Sequence, residues 1–486
     1  MSLVIVSNRV APAKSNEPMA GGLAAALLPA VKTSGAIWVG SSGKLHDNPR
    51  KDAVPEITPL GAGALATIDM PAAHYQGYYE GFANSVLWPA LHSRMDLIQS
   101  NVADYASYRE VNAYMARALL GFAKPDGAFW VHDYHFLTLA QELRKLGIKR
   151  PIGFFLHTPM PTRQMLAGVP HHRELIHAML AYDLIGFQTA SDRDNFVDYL
   201  NQELGLEVVG DAVASERRLT RLGVFPIGID VDMFASRATK AVTSHEIVRL
   251  RASLAGAKLA IGVDRVDYSK GIANRVRALD QLLQTDPTFK RRVSMLQIGV
   301  PSRDAIDTYH QLQKDIATLV GEVNGRHGEV DWTPIRYLTK GFSQANLAGF
   351  YRAAHVGLVT PLHDGMNLVA KEYVAAQNPF DPGVLVLSEF AGAAQQLDAA
   401  LMVNPHDIDA MTRALATALA MPLEERIERW EAMMETLQSS SVQAWFTDFA
   451  DALIETRATM VPAMEPDQIP VPIRAPIGER AIAKIH

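Results

Sequence analysis

Two cationic side chains, Arg265 and Lys270, flank a predicted turn within residues 264–271. The turn follows an apolar run of strand length and ends at Gly271, where a predicted helix begins. Guanidinium and ammonium groups beside a helix N-terminus bind a diphosphate and stabilise the negative charge that develops on it. The alternative is that these cations pair with Asp264 or Asp267. We favour the diphosphate site, because ligands gather at the carboxyl ends of strands in open α/β sheets.

A second polar loop, residues 363–367, joins a predicted strand at 356–359 to a predicted helix at 368–377. A glycine-containing loop before a helix offers unpaired N–H groups and the positive end of the helix dipole to an anion. Glu372 lies about one turn inside this helix, where a carboxylate can accept hydrogen bonds from hydroxyl groups. The pattern suits a phosphate next to a sugar. An ordinary helix capped by Asn367 is the alternative.

Further polar side chains stand where predicted strands end. Arg9, Asp133 and His157 do so in the first half of the chain, and Arg303 does so in the second. We expect Asp133 to bind a substrate hydroxyl and the loop 157–161, fixed by two prolines, to carry His157 into a cleft. A surface ion pair is the alternative for Arg9, and a structural role is the alternative for His157.

Aromatic side chains form a third group. Tyr79 and Trp88 have an apolar ring and a polar tip, so they can stack on a sugar and bind its hydroxyl groups. Aromatic residues taken alone are more often part of the core. His132 and His135 have the spacing of a metal pair, but no third ligand accompanies them. We therefore predict no metal site and no cofactor.

Apolar runs alternate with helical segments through the whole chain, which predicts α/β units with buried parallel strands. The charged stretch 239–255 is interpreted as an interdomain linker, and the proline-rich tail from residue 458 as disordered. The predicted strands are 3–6, 36–40, 129–132, 152–156, 184–188 and 224–227, followed by 259–263, 295–300, 335–338, 356–359 and 384–387. The predicted helices include 21–31, 136–146, 272–283, 408–421, 423–437 and 441–457.

Composition limits the class of protein. A chain of 486 residues exceeds what one hydrophobic core supports, so we expect two domains. The net charge of -6 argues against nucleic acid or an anionic membrane as the main partner. The absence of cysteine excludes disulfides and thiolate chemistry. No signal peptide begins the chain, and no apolar run reaches the roughly 18 residues of a membrane span, so we expect a cytoplasmic protein.

With these residues in view, the chain resembles bacterial members of retaining glycosyltransferase family 20, from Leu3 to about Ile454. The resemblance implies the GT-B fold, in which two Rossmann-like domains face a central cleft. Residues 1–230 would bind the acceptor and residues 231–457 the nucleotide sugar, with the last helix packing back on the first domain. The motifs that carry the resemblance are Ser7-Asn-Arg9, Gly21-Gly22-Leu, Val86-Leu-Trp88-Pro, His132-Asp133-Tyr-His, Arg265-x-Asp-Tyr-Ser-Lys270-Gly and the segment from Asp364 to Glu372.

The resemblance further implies transfer of glucose from UDP-glucose to glucose 6-phosphate, which yields α,α-trehalose 6-phosphate and UDP. The family is held to use front-side attack without a metal, the leaving phosphate taking the acceptor's proton. Small-molecule substrates and a homo-oligomer, such as a tetramer, are the implied partners. The implied catalytic residues are Arg265, Lys270, Asp133 and His157; the implied donor site adds Gly22, Asp364, Asn367, Leu368, Val369 and Glu372; the implied acceptor site comprises Arg9, Tyr79, Trp88, Asp133 and Arg303.

One departure from the family pattern bears on the acceptor. Bacterial relatives often have Gly-Trp-Ser-Gly after the second strand, whereas this chain has Gly40-Ser41-Ser42-Gly43. The missing aromatic leaves the acceptor open, and the nearest alternative is a synthase of glucosylglycerol phosphate with another phosphorylated polyol as acceptor. A separate alternative is a catalytically silent regulatory member. Retention of the cationic and acidic motif residues favours an active enzyme.

Overall fold

The computed structural model describes residues 2–10, 22–48, 54–215, 218–303 and 306–457. These residues form two sheets, as the alternation of apolar runs predicts. Successive residues of the first strand contribute to different cores, Leu3 and Ile5 on one side and Val4 and Val6 on the other. The first sheet is therefore covered on both faces, which explains its continuous apolar strands.

The first sheet has ten strands among the described residues, in the order β3-β4-β2-β1-β5-β6-β7-β10-β9-β8. Its centre is parallel, and its edges, β3 with β4 and β8 with β9 and β10, are antiparallel. The strands are β1 Leu3–Arg9, β2 Ile37–His46, β3 Glu56–Leu60, β4 Gly63–Pro71, β5 Ala128–His132, β6 Ile152–Phe155, β7 Leu184–Phe187, β8 Val208–Val209, β9 Ala212–Ser215 and β10 Arg218–Val224.

The second sheet has six parallel strands in the order β13-β12-β11-β14-β15-β16. The chain moves outward from β11 through β12 and β13, then returns to β14 on the other side of β11. Such a reversal opens a crevice at the carboxyl ends of the two central strands. The strands are β11 Lys258–Arg265, β12 Val293–Val300, β13 Ile335–Leu338, β14 Val356–Val359, β15 Val384–Ser388 and β16 Leu401–Val403.

Helices connect the strands, and several begin at residues that the sequence marks as N-caps. The side chains of Asn101, Thr189 and Ser343 each accept a hydrogen bond from the first turn of a helix. A π-helical segment, Gly77–Leu87, runs between α2 and α3. The α-helices are α1 Gly22–Ser34, α2 Ala72–Gln76, α3 Trp88–Leu91, α4 Val102–Leu119, α5 Leu139–Lys145, α6 Arg163–Ala167, α7 His172–Met179, α8 Ala190–Tyr199, α9 Val231–Ala241, α10 His245–Ser253, α11 Ile272–Thr285, α12 Asp307–His327, α13 Gln344–Ala353, α14 Leu368–Ala376, α15 Ile408–Ala420, α16 Leu423–Ser439 and α17 Val442–Glu455.

The stretch interpreted as an interdomain linker is part of the second domain. It forms the end of α9 and all of α10, which pack against α13 and bury Ala241 and Ile247 in the core. The interpretation was wrong because the charged residues of these amphipathic helices hid their narrow apolar face. The tail predicted to be disordered lies outside the described residues.

The last helix, α17, lies against the first sheet. Phe449 stacks on Trp130 of β5 with ring centroids 4.4 Å apart. Methyl groups added at Gly153 of β6 or Gly186 of β7 would meet the Phe449 ring within 2.9 Å, so these glycines make room for it. Through this contact the chain returns from the second domain to the first.

None of the helices in the described ranges combines the length and the apolar character that crossing a membrane would require.

Candidate functional site

The carboxyl ends of β11 and β14 bring together the cationic loop and the polar loop of the second domain. The Lys270 ammonium donates a hydrogen bond to the Asp364 carboxylate, and the Asn367 amide donates to the same oxygen, Oδ2, over 3.0 Å. Burial alone would raise the pKa of Asp364, but Lys270 and Asn367 lower it below its ordinary value. Asp364 is therefore ionised at neutral pH and holds the ammonium in the crevice.

The two carboxylates considered as partners of Arg265 and Lys270 are taken by other cations. Asp264 pairs with Arg275 over 2.6 Å, and both side chains are buried. Asp267 pairs with Arg303 over 2.7 Å, with side chains 0% and 5% exposed. Arg265 itself is exposed at the end of β11 and forms no ion pair within the described part of the chain. Its positive charge is therefore available to a ligand.

The N-terminus of α14 opens into the same crevice. Asn367 precedes the helix with a φ of 74°, and its side chain caps no N–H group of the first turn. The capping alternative is therefore wrong, because the Asn367 amide is directed to Asp364. The helix begins with Leu368 and Val369, whose backbone N–H groups the sequence assigned to the donor phosphate.

Glu372 lies one turn into α14 and is half-buried. It accepts a 3.4 Å hydrogen bond from the hydroxyl group of Tyr351. Burial raises the pKa of Glu372 to about 7, against the opposing effects of Tyr351 and Arg237. Among the described residues this long hydrogen bond is the only one that the half-buried carboxylate accepts, so it retains acceptor capacity for the hydroxyl groups of a ribose.

The first domain reaches the crevice through the loop after β6. A methyl group at Gly365 would lie 2.1 Å from the carbonyl oxygen of His157, and one at Gly392 would lie 1.9 Å from the carbonyl oxygen of Gly365. Only glycine permits this approach of three backbone segments. The contact places the loops after β6, β14 and β15 side by side.

Asp133 follows β5 in a backbone conformation that is unusual for a residue with a side chain, with φ 73° and ψ 167°. Such conformations cost on the order of 1–3 kcal/mol and concentrate at functional sites. Its carboxylate accepts a 3.3 Å hydrogen bond from the His157 N–H, and burial raises its pKa to about 6. The carboxylate is half-buried and lies in the fields of Arg265 and Arg303.

The ring of His157 is held inside the protein. Gln188 Oε1 accepts from the N–H of Ile227 over 3.0 Å, which turns the Gln188 amide nitrogen towards His157 Nδ1 at 3.3 Å. His157 Nε2 then carries the proton and donates to His132 Nδ1 over 3.0 Å. Burial lowers the pKa of His157 to about 3. Both ring nitrogens are engaged, and the carbonyl oxygen of His157 faces the loop of Gly365.

Trp88 lies under two cations from the second domain. The carbon Cζ of Arg303 is 3.9 Å from the indole centroid and that of Arg265 is 5.8 Å from it. The indole is 6% exposed, and its N–H has no hydrogen-bond partner in the described part of the chain. The nitrogen atom is itself buried, so a ligand oxygen could reach it only if neighbouring side chains moved.

The remaining predicted acceptor residues stand beside the switch point of the first sheet. Arg9, at the end of β1, is exposed, and its Nη2 lies 2.8 Å from where a Cβ of Gly43 would be. The Ser41 hydroxyl accepts from the Gly43 N–H over 3.0 Å. The Gly-Ser-Ser-Gly departure thus lies within β2, where the pairing with β4 begins to shift register, and packs against Arg9. Tyr79 is half-buried and stacks between Tyr75 and His135.

Arg303 is more enclosed than the sequence suggested. Besides Asp267, it donates to the hydroxyl groups of Tyr309 over 2.8 Å and Tyr134 over 3.2 Å. Its Nε is buried without a partner among the described residues. Gly22 is the first residue of α1, and the segment before it lies outside the described ranges.

Sequence reasoning missed Lys371, which lies at the crossing between the domains. It is fully buried, and its ammonium donates to the Ile227 carbonyl over 2.6 Å and to Gln396 Oε1 over 2.5 Å. Burial lowers its pKa to about 7. The signal in the sequence was a lone lysine among the apolar residues of the α14 segment. Gln188, which orients the His157 ring, was also missed, and the sequence offers no signal for it.

Comparison with known proteins gives a family and close structural likenesses. A family model described as Glycosyltransferase family 20 matches residues 3–455. The trehalose-6-phosphate synthase of Sinorhizobium fredii is 45% identical over 456 residues, which are 93% of this chain and 98% of that protein. The crystal structure of an alpha,alpha-trehalose-phosphate synthase (UDP-forming) from Burkholderia xenovorans in complex with glucose-6-phosphate matches with a TM-score of 0.89 at 44% identity, covering 93% of this chain and 99% of that one. The structure named "Trehalose-6-phosphate from E. coli bound with UDP-2-fluoro glucose" matches with a TM-score of 0.88 at 38% identity, covering 94% and 99%.

Proposed function

The chain belongs to glycosyltransferase family 20, and on that premise we propose that it transfers glucose from UDP-glucose to glucose 6-phosphate. The products are α,α-trehalose 6-phosphate and UDP. Its relatives support this reaction: one similar enzyme is UDP-forming and was crystallised with glucose-6-phosphate, and another structure holds a UDP-2-fluoro glucose. Coverage of more than nine-tenths of each chain extends the likeness to both domains.

One observation carries the donor half of the proposal. An exposed Arg265, the Lys270 ammonium and the N-terminus of α14 converge at the switch point between β11 and β14. A diphosphate in this crevice would receive hydrogen bonds from two cations and a helix end, while Glu372 would accept from the ribose. Because Lys270 and the helix end are held in place before the reaction, they stabilise the charge of the departing UDP with little reorganisation.

The acceptor half of the proposal rests on the first domain. The exposed guanidinium of Arg9 would bind the phosphate of glucose 6-phosphate, with Trp88 beside the phosphate and Tyr79 beside the sugar. The Asp133 carboxylate would accept from an acceptor hydroxyl. With Asp133 and the His157 backbone facing the donor loop, the two substrates would meet where the domains touch.

Retention of configuration follows from attack on the face that the diphosphate leaves. The bond between the anomeric carbon and the diphosphate oxygen breaks, the acceptor oxygen forms the new bond, and its proton passes to the departing phosphate oxygen. Asp364 is bound by Lys270 and Asn367, which makes it a poor nucleophile. Arg265 and Lys270 supply the positive charge that a divalent metal would otherwise provide, so we propose a metal-independent reaction, and full activity in EDTA is the expected result.

Two further proposals concern the setting of the reaction. Both substrates are highly charged and do not cross membranes unaided, so we place the enzyme in the cytoplasm with them.

We also propose a homo-oligomer, with a tetramer as the form to test first. The resemblance to bacterial members of the family is what supports this proposal. Sedimentation velocity would test this, and a monomer at every concentration would contradict it.

The function is tested by measuring UDP release from UDP-glucose with glucose 6-phosphate, glycerol 3-phosphate or glucose as acceptor. We expect release with glucose 6-phosphate and an α,α-linked product by NMR. A preference for glycerol 3-phosphate would favour the glucosylglycerol phosphate alternative. If none of the three acceptors leads to UDP release, a silent regulatory member is favoured.

Arg265→Ala and Lys270→Ala should each lower kcat by about 10²–10³. The matched exposed variant Arg277→Ala, on α11, should leave kcat unchanged.

A further inference from the structure

A second cavity, of about 530 Å³, lies in the second domain at the amino ends of its strands. Ala257, His355 and Gly383, which line it, directly precede β11, β14 and β15. Arg265 and Asp364 stand at the opposite ends of these strands. β11 alone has eight residues, or about 26 Å, so this cavity is separate from the catalytic crevice.

The lining of the cavity is strongly cationic. Arg251, Arg352 and Arg426 line it, and Asp381 is the one carboxylate among its described lining residues. Asp381 is already paired with Arg426 over 2.6 Å. Arg251, at the end of α10, is exposed and forms no ion pair in the described part of the chain. In a protein with a net charge of -6, such a local excess of guanidinium groups inside a cavity indicates an anionic ligand.

Arg352 and Arg426 are held in place by backbone carbonyl groups but keep hydrogen-bond donors for a ligand. Arg352 donates from Nη1 to the carbonyls of Ala376 and Gln377, and Arg426 donates from Nη1 to the Pro382 carbonyl over 2.5 Å. Their Nη2 and Nε atoms make no hydrogen bond with the described residues. Two guanidinium groups are therefore oriented by the backbone and still present donors.

We propose that this cavity binds a small phosphorylated metabolite through Arg251, Arg352 and Arg426. A phosphate ester has three terminal oxygens, so it can accept the forked hydrogen bonds of several guanidinium groups at once. A single carboxylate has only two oxygens and matches such a cluster less well. Val242, Leu254 and Ala353 provide an apolar wall for the carbon skeleton of the ligand. The volume lies within the range of about 300–1,000 Å³ that small-molecule sites have.

The cavity lies at the far end of the helix that begins at the predicted donor site. Arg352 holds the carbonyl groups at the end of α14, and the other end of this helix forms the predicted donor site. The helix has nine residues and is about 13 Å long. A phosphate that engages Arg352 therefore acts on a helix whose first turn and Glu372 face the catalytic crevice.

Isothermal titration calorimetry on the full chain carrying Arg9→Ala, Arg265→Ala and Lys270→Ala tests the site with both predicted substrate sites weakened. The titrants are inorganic phosphate, glucose 6-phosphate, citrate and neutral glucose. We expect saturable binding of the two phosphates, weaker binding of citrate and none of glucose. Adding Arg251→Gln should weaken phosphate binding about tenfold or more, since it removes a charge-assisted hydrogen bond.

Arg249→Gln is the matched control, because Arg249 is an exposed arginine of the same helix outside the cavity lining. It should leave phosphate binding unchanged. Arg352→Gln should weaken phosphate binding by a similar factor, and Arg251→Gln decides the question if the Arg352 variant does not fold. Absence of phosphate binding, equal binding of citrate, or equal losses in Arg249→Gln and Arg251→Gln would overturn the proposal.

Discussion

The guanidinium of Arg303 lies 3.9 Å from the ring centroid of Trp88, so a cation of the second domain covers an indole of the first. The same guanidinium donates to Asp267 over 2.7 Å. Arg303 therefore joins the two walls of the catalytic crevice while it neutralises a fully buried carboxylate. Although burial opposes ionisation, this cation holds the pKa of Asp267 well below its usual range.

Removing the Arg303 cation should destabilise the fold. In Arg303→Met, the Asp267 carboxylate would remain buried without its partner, and we expect the free energy of unfolding to fall by about 3–5 kcal/mol. Urea unfolding at pH 7 measures this. The double variant Arg303→Met/Asp267→Asn should recover much of the loss, because it removes the unpaired charge.

The control for Arg303 is an arginine whose ion pairs are exposed. Arg291 pairs with Glu329 and Asp331 at the surface. Arg291→Met should cost less than about 1 kcal/mol, as exposed pairs usually do. Equal losses in Arg291→Met and Arg303→Met would contradict the assignment of a stabilising role to the buried pair.

The buried Lys371 should make stability depend on pH above neutrality. Its pKa is about 7 in the folded protein and 10.5 as an ordinary value. Between these values the unfolded chain binds the proton that the folded protein has lost, so the free energy of unfolding rises with pH, by up to about 1.4 kcal/mol per pH unit. Lys371→Met should remove this slope from pH 7 to 10.5.

Urea titrations of Lys371→Met at several pH values, beside the wild type, measure the difference in slope. Lys314→Met, which changes an exposed lysine of α12, is the control and should keep the wild-type slope. If Lys371→Met and the wild type show parallel stability profiles, the ammonium is charged in the folded protein and its two carbonyl contacts suffice to hold the charge.

Much of the site was predictable because its elements are local. Apolar runs marked β1, β5, β11 and β14, and polar residues directly after such runs meet at one edge of a parallel sheet. The family and the GT-B fold, inferred from motifs, are confirmed. The assignments of individual site residues remain predictions. What the sequence could not specify was which carboxylate meets which cation.

That choice depends on contacts distant in sequence. Lys270 pairs with Asp364 rather than with the adjacent Asp267, because β11 and β14 are neighbours in the sheet. The strands β3, β4, β8, β9 and β16 went unpredicted for another reason: each is very short or is interrupted by polar side chains, so it lacks a continuous apolar run of strand length. Helix α5 begins at Leu139 rather than 136, since a short 3-10 turn at Tyr134–Phe136 precedes it.

The raised pKa of Glu372 predicts an acidic limit to donor binding. Below about pH 7 the carboxyl group is protonated and loses part of its acceptor capacity, so kcat/KM for UDP-glucose should fall as the pH decreases through 7. Glu372→Gln should raise KM about tenfold and abolish this limit. Glu428→Gln, an exposed change on α16, should keep it. An acidic limit at pH 7 that persists in Glu372→Gln would assign the titration to another group.

The contact between Gly365 and His157 predicts that catalysis tolerates no side chain at this junction. In Gly365→Ala the new methyl group would lie 2.1 Å from the His157 carbonyl oxygen, so one backbone loop must move. The loop after β14 holds Asp364 and Asn367, and a displacement of about 1 Å can cost 10²-fold in rate. We expect kcat/KM for UDP-glucose to fall by about that factor.

Gly321→Ala is the control for Gly365→Ala, since Gly321 lies in α12 with no atom within 4 Å of the new methyl group. Alanine is the better helix former, so Gly321→Ala should keep full activity and gain about 0.5–1 kcal/mol in stability. Circular dichroism and steady-state kinetics separate the two effects of Gly365→Ala. Normal kinetics in a folded Gly365→Ala enzyme would mean that the loops after β6 and β14 adjust independently, and the close backbone contact would then have no role in positioning the donor.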